Sequence, residues 1–203
     1  MSTSEVDEIM KNNSHFNAKR KEIAKDKKDN KNKANILVAL SKLSSEAEEN
    51  FKRFTDLECT DKNKESRLKI ELKLILADFA ESLYENEKYE ECIVVDRKIL
   101  KLDEDHHQSY ARLFEAYCKI GQNDNGVIYG HMLKLKFAKT KLLEKYYSEL
   151  IPRIDAETKI VTENLKNDSM FKHMKLTKMS YVKFILFIFS VIFLLHGYFT
   201  RKK

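Results

Sequence analysis

The sequence predicts an all-α protein: antiparallel helix pairs repeated along the chain, then a single apolar C-terminal helix. Three observations predict it. Glycine numbers 4 and proline 1 in 203 residues, too few turn formers for a β architecture or a Gly-rich phosphate loop. From Ala34 onward, apolar residues recur at spacings of three and four. The run Tyr181–Phe199 is the only long apolar stretch in a chain that is 34% charged.

Taken in order, residues 1–33 hold nine cations, six acids and scattered hydrophobes. Such a segment buries too little to offset its ordering entropy and reads as a largely disordered basic arm. A helical domain is expected over 34–166. Its first helix carries Ile36, Leu37, Leu40, Leu43, Ala47, Phe51 and Phe54 on one face. Thr55–Ser66 reads as a polar connection, and periodicity resumes from Leu68 to Leu83. From Lys73 the chain repeats with a period of 34, over 73–106 and 107–140. Leu76, Phe79, Ala80 and Leu83 recur as Tyr110, Leu113, Phe114 and Tyr117. Cys92, the small residue opening the second helix of its pair, recurs as Gly126, and Ile99 recurs as Leu133. A small residue there lets two helices approach closely. A third unit starts near Lys141, with KLLEKYYSELI as its first helix and Pro152 expected to kink or restart it. Residues 167–180 form a stalk with lysines and no nearby acid from 169 on, suited to anionic headgroups or simply to solvent.

Phe184–Leu195 contains only Phe, Ile, Leu and Val apart from Ser190. A helix over 181–199 would be about 28 Å long at 1.5 Å per residue, close to a hydrocarbon core of about 30 Å. Phe184, Phe187, Phe189, Phe193 and Leu194 face lipid in this reading. Lys183 and, in the short basic end 200–203, Arg201, Lys202 and Lys203 flank the span. The expectation is a single-pass tail anchor with a cytosolic N-terminus. Its modest length suits a thin bilayer.

The formal charge of +6 sits at the two ends: the last 23 residues carry +4 and the first 33 carry +3, leaving −1 for 34–180. A near-neutral middle gives no footprint for nucleic acid. Cys59, Cys92 and Cys118 are far apart and odd in number, as in a reducing compartment. The first residues carry acids and no apolar run, so no secretory signal is expected. No GxSxG, HExxH, P-loop or GxGxxG is present. No catalytic residue, cofactor or metal is expected, and the chain does not read as an enzyme. His106 and His107, beside Asp103, Glu104 and Asp105, read as a polar inter-repeat turn rather than a metal cluster.

The period of 34, with large residues on the first helix and a small one opening the second, is the tetratricopeptide spacing. The stretch ADFAESLYENEKYEECIVVDRKILKLDEDHHQSYARLFEAYCKIGQ, with the apolar tail, resembles the repeat half of tail-anchored FK506-binding-protein-type immunophilins. Residues 1–72 are too short and polar for the isomerase domain. The resemblance implies a protein-binding groove and, in co-chaperone members, a clamp of basic and amide side chains on the C-terminal carboxylates of Hsp90 or Hsp70. Arg112 matches the clamp arginine. Gln108 stands where a lysine is expected and Asp78 where an asparagine is, so the clamp is incomplete. Asp78, Glu81, Gln108, Arg112 and Glu115 are the groove candidates, with Arg112 expected to pair with Asp78 or Glu115. The chain is also similar in design to the mitochondrial fission adaptor, a small helical repeat domain on a basic-ended anchor. The function implied is a tail-anchored adaptor on the cytosolic face of an intracellular membrane, co-chaperone-like, with the mitochondrial outer membrane favoured over the endoplasmic reticulum. The alternative is a structural or fission-type adaptor acting by oligomerisation.

Overall fold

The computed structural model describes residues 3–29, 32–57 and 59–167. Among them lie eight α-helices and no strand: α1 (Thr3–Lys28), α2 (Lys33–Asp56), α3 (Lys62–Glu85), α4 (Tyr89–Leu102), α5 (His107–Lys119), α6 (Asn123–Phe137), α7 (Leu142–Tyr146) and α8 (Leu150–Asn167). From α1 to α6 each helix packs on the next, and α1, α3 and α5 also touch as successive first members of pairs. One compact unit runs to Glu157, within α8; a second unit follows, described only for the helical residues 158–167. Among the described residues no helix is long and apolar enough to cross a membrane. The anchor 181–199 and the stalk and basic end around it, from residue 168 on, lie outside the described residues.

Local chemistry sets where the helices start. The Asn32 side chain accepts from the Ala34 N–H, and Asp61 accepts from the N–H groups of Asn63 and Lys64, satisfying donors that a first turn leaves open. The polar connection is therefore shorter than the Thr55–Ser66 expected, because the first helix runs to Asp56 and Asp61 starts the next.

The 34-residue period is visible in the hydrogen bonds that close α3 and α5. The Lys88 N–H reaches back to the Leu83 carbonyl at 3.0 Å, and the Gln122 N–H to that of Tyr117 at 2.9 Å. Glu87 and Gly121, also 34 positions apart, hold the left-handed conformation these closures need, at φ 60° and 76°. Glycine adopts it freely and glutamate does not. Glu87→Gly is therefore expected to stabilise the fold by about 0.5–1 kcal/mol, read as a raised urea midpoint; a fall would show that the Glu87 side chain contributes something else.

The small-residue positions also correspond. Buried Cys92 places its Sγ 3.4 Å from the Ala80 carbonyl oxygen. A Cβ at Gly126 would stand 3.0 Å from the Phe114 carbonyl oxygen, 34 residues further on. At this point the second helix of each pair touches the backbone of the first.

Within residues 1–33, expected from the sequence to be a largely disordered arm, Thr3–Lys28 instead forms α1, packed on α2 and α3. Val6, Ile9 and Phe16 are buried, with Val6 and Ile9 against Phe54 and Leu68. The physical reason is that these few hydrophobes fall on one helix face, with Ile23 seven residues after Phe16. Polar partners supply the rest: buried Asn50 donates to the Ile9 carbonyl at 3.1 Å, and Arg20 bonds Glu71 and Asp78.

The third unit also departs from expectation. KLLEKYYSELI does not form one helix; α7 stops at Tyr146 and α8 starts at Leu150, with Pro152 in its first turn. A helix running through would set the proline ring against the Ser148 carbonyl, whereas a first turn does not need the missing N–H. The first turns of α8 then pack on α6, where Ile154 fills the space left by Gly130: a Cβ there would meet Ile154 carbons at 2.9 Å.

Candidate functional site

Asp78, Glu81, Gln108, Arg112 and Glu115 come from α3 and α5, and all five line one cavity of about 370 Å³. Ala77 and Ala111 line it too, as do Tyr84 and Tyr147. The cavity is not isolated. Asp78 and Glu81 also line a depression bounded by Ile23, Ala24 and Lys27 of α1. At the other end, Ala111, Glu115 and Tyr147 are shared with a third depression reaching Leu150 and Arg153. Through these shared residues the three depressions adjoin along the first helices of the pairs, with Tyr147 lining two of them.

Its electrostatics depend on where each charge is committed. Arg112 does not pair with Asp78 or Glu115, contrary to the sequence expectation. Its Nε and Nη2 reach Asp96 of α4 at 2.8 and 2.7 Å, in a fork geometry that fits a carboxylate with two bonds. Asp96 is 0% exposed. It accepts a third bond from the Ser109 hydroxyl at 2.6 Å, and Cys92 Sγ lies 3.5 Å away. Because Ser109 donates to Asp96, its oxygen is the acceptor for His106 Nδ1 at 2.9 Å. Five side chains from α4, α5 and the turn before α5 thus form one connected network. Burial opposes the Arg112 charge, but the bonds and charge of Asp96 outweigh it and raise the guanidinium pKa.

The groove carboxylates find other partners. Asp78 pairs with Arg20 at 3.2 Å, and the same guanidinium holds Glu71 at 3.2 Å. Glu81 and Glu85 share Lys27 at 2.7 and 3.0 Å. Glu115 meets Arg153 at 2.9 Å. Gln108 is exposed at the groove edge. Burial holds the Asp78 carboxyl above its usual value despite Arg20, with the charge of Glu81 adding to the effect. Burial, then the charge of Glu115, pushes the Tyr84 phenol up to about 12. Burial pushes the thiols of Cys92 and Cys118 to about 12 and about 11, which leaves them protonated near neutrality.

His106 and His107 are each bound to a neighbour rather than turned on a common point: His107 Nδ1 lies 2.6 Å from the Tyr147 hydroxyl. Asp103 is held by Lys73 at 2.7 Å. Among the described residues no group of three ligating side chains is placed to hold a metal ion.

Burial, and for His106 the charge of Arg112, hold both imidazoles below 6.5. Between those lowered values and 6.5 the unfolded chain binds more protons than the folded one, so stability falls as pH drops through 6.5. The urea midpoint is expected to decline between neutrality and about pH 5.5, and His106→Gln should flatten part of that decline. A midpoint constant across the window would contradict the burial of these rings.

Compared with known proteins, the chain matches no family model, no curated protein and no solved structure.

Proposed function

We propose that this chain is a membrane-tethered adaptor of tetratricopeptide type, whose groove along α1, α3 and α5 receives a segment of a partner protein. One observation carries the reading: five polar side chains picked from a repeat register, on two helices one pair apart, line a single cavity together with two alanines and two tyrosines. Helical pairs at a period of 34 support the repeat class. The apolar run 181–199 and its cationic flanks support the tether, with a cytosolic groove and the mitochondrial outer membrane favoured over the endoplasmic reticulum. Tethering raises the local concentration of partner without demanding high intrinsic affinity.

The reading departs from a co-chaperone clamp. A terminal carboxylate needs an uncommitted cation, and Arg112 is bonded through both nitrogens to Asp96. A chaperone-tail peptide is expected to show no saturable binding in calorimetry.

A photo-crosslinking side chain at Glu81 tests the groove in cells. Protein adducts are expected, and Gln108→Trp, which fills the groove from an exposed position, should abolish them. Adducts insensitive to that substitution, or none at all, would overturn the reading. For the tether, Phe187→Asp with Leu194→Asp should release the protein from membranes, since each acid costs about 3 kcal/mol at a span's centre. Protection of residues 1–167 from protease added to intact organelles would overturn the orientation. A tail fused to a fluorescent protein and confined to the reticulum would overturn the favoured membrane.

A further inference from the structure

We infer that the partner segment this groove takes is cationic: a lysine or arginine seated between α3 and α5, with an aliphatic or aromatic side chain beside it. The inference rests on the adaptor reading and adds the chemistry of the ligand. It follows from how the groove's own cations are spent. Arg112, the only cation lining the central cavity among the described residues, is bonded to Asp96 and its side chain is 13% exposed. The other charged side chains lining it are Asp78, Glu81 and Glu115, each paired with a cation that does not line the cavity. Along the neighbouring depression, Arg20 serves Glu71 and Asp78 together, and Lys27 serves Glu81 and Glu85 together. The depression itself is lined by two cations, Lys27 and Lys28, against the three carboxylates Asp78, Glu81 and Glu85. One cation shared by two carboxylates leaves acceptor capacity on both, since each carboxylate has about four lone-pair sites.

The accessibility of the acids agrees. The Glu81 side chain is 56% exposed although it is paired. Arg153, the partner of Glu115, is 55% exposed on a surface turn of α8. A guest cation can therefore replace or join these contacts without extracting a buried charge. The aromatic walls fit the same guest. Tyr84 and Tyr147 line the cavity beside the acids, and aromatic rings are surfaces on which an arginine or lysine stem packs. Ala77 and Ala111 keep the floor low enough for the stem to enter. Charge complementarity of this kind sets partner choice and association rate.

The test uses the full chain in detergent micelles, immobilised and offered a displayed library of random dodecapeptides. The expected result is enrichment of sequences with Lys or Arg beside Leu, Phe or Tyr. Their synthetic versions should lose affinity about tenfold on Glu81→Gln with Glu115→Gln, and weaken as salt is raised. Circular dichroism checks that the double variant is folded; Glu115→Gln alone, which leaves the Lys27 contacts intact, gives a second reading if it is not. Enriched peptides that are acidic or end in a required free carboxylate, yet are blocked by Gln108→Trp, would overturn the charge assignment and leave the adaptor reading standing. Enrichment untouched by Gln108→Trp, or no enrichment, would overturn both.

Discussion

Asp96→Ala is expected to destabilise the fold by about 3–5 kcal/mol, a large share of what a domain of this size possesses. The loss comes less from the attraction removed than from what stays behind. Arg112 would remain largely buried with no counter-charge, and Ser109 would lose its acceptor. Arg112→Ala should be comparably severe, because Asp96 would then be a wholly buried carboxylate without its cation. The double change Asp96→Leu with Arg112→Met removes both charges at similar volume and should recover most of the loss. Urea unfolding of the four proteins checks this. Single variants that unfold within about 1 kcal/mol of the parent would mean that the pair is solvated rather than buried.

Phe114→Ala is expected to cost about 3–5 kcal/mol. The ring is fully buried and packs with Tyr110, Leu133, Leu150 and Ile154, so it joins α5 to α6 and to the start of α8. Gly130 brings α8 in so close that Ile154 cannot settle further to refill the space. Phe114→Leu, retaining most of the volume, should cost clearly less. Equal losses for the two would indicate that ring geometry matters more than the cavity. Thermal unfolding of the two variants separates these outcomes.

The helix pairs from α3 to α6 were legible in the sequence because two independent regularities coincide there. Apolar spacing marks the helices, and the period of 34 fixes how they pair. That the five groove candidates share one cavity was legible for the same reason, since a repeat register assigns one face of α3 and α5 to the same surface. The first helix was not legible, because Val6, Ile9 and Phe16 are diluted by lysine, asparagine and acid. Its docking depends on partners such as Asn50 and Glu71, remote in sequence. The partner of Arg112 was missed although a signal existed. Asp96 lies on the same face of α4 as Cys92, Val95 and Ile99. An acid on a buried stripe requires a cation nearby, and the nearest repeat-facing cation is Arg112. A restart of the helix around Pro152 was legible from the proline itself, whereas the early stop of α7 at Tyr146 and the start of α8 at Leu150 are not decided by periodicity.

The thin apolar attachment of α1 has a dynamic consequence. In an array where each helix touches mainly its neighbours, opening begins at an end and spreads inward. The N-terminal helix contributes three buried hydrophobes over its 26 residues, against six each from α3 and α5. Its amide protons are expected to exchange with solvent first, well before those of α3 and α5, where the caps and shared clusters are concentrated. Each such opening would strip Arg20 from the 5% exposed Glu71 and Lys27 from Glu81. The groove would then become transiently more acidic without any change in α3 and α5. Hydrogen exchange read by mass spectrometry over α1 and α3 would report the order directly, and equal protection of both helices would show that the array opens as one cooperative block.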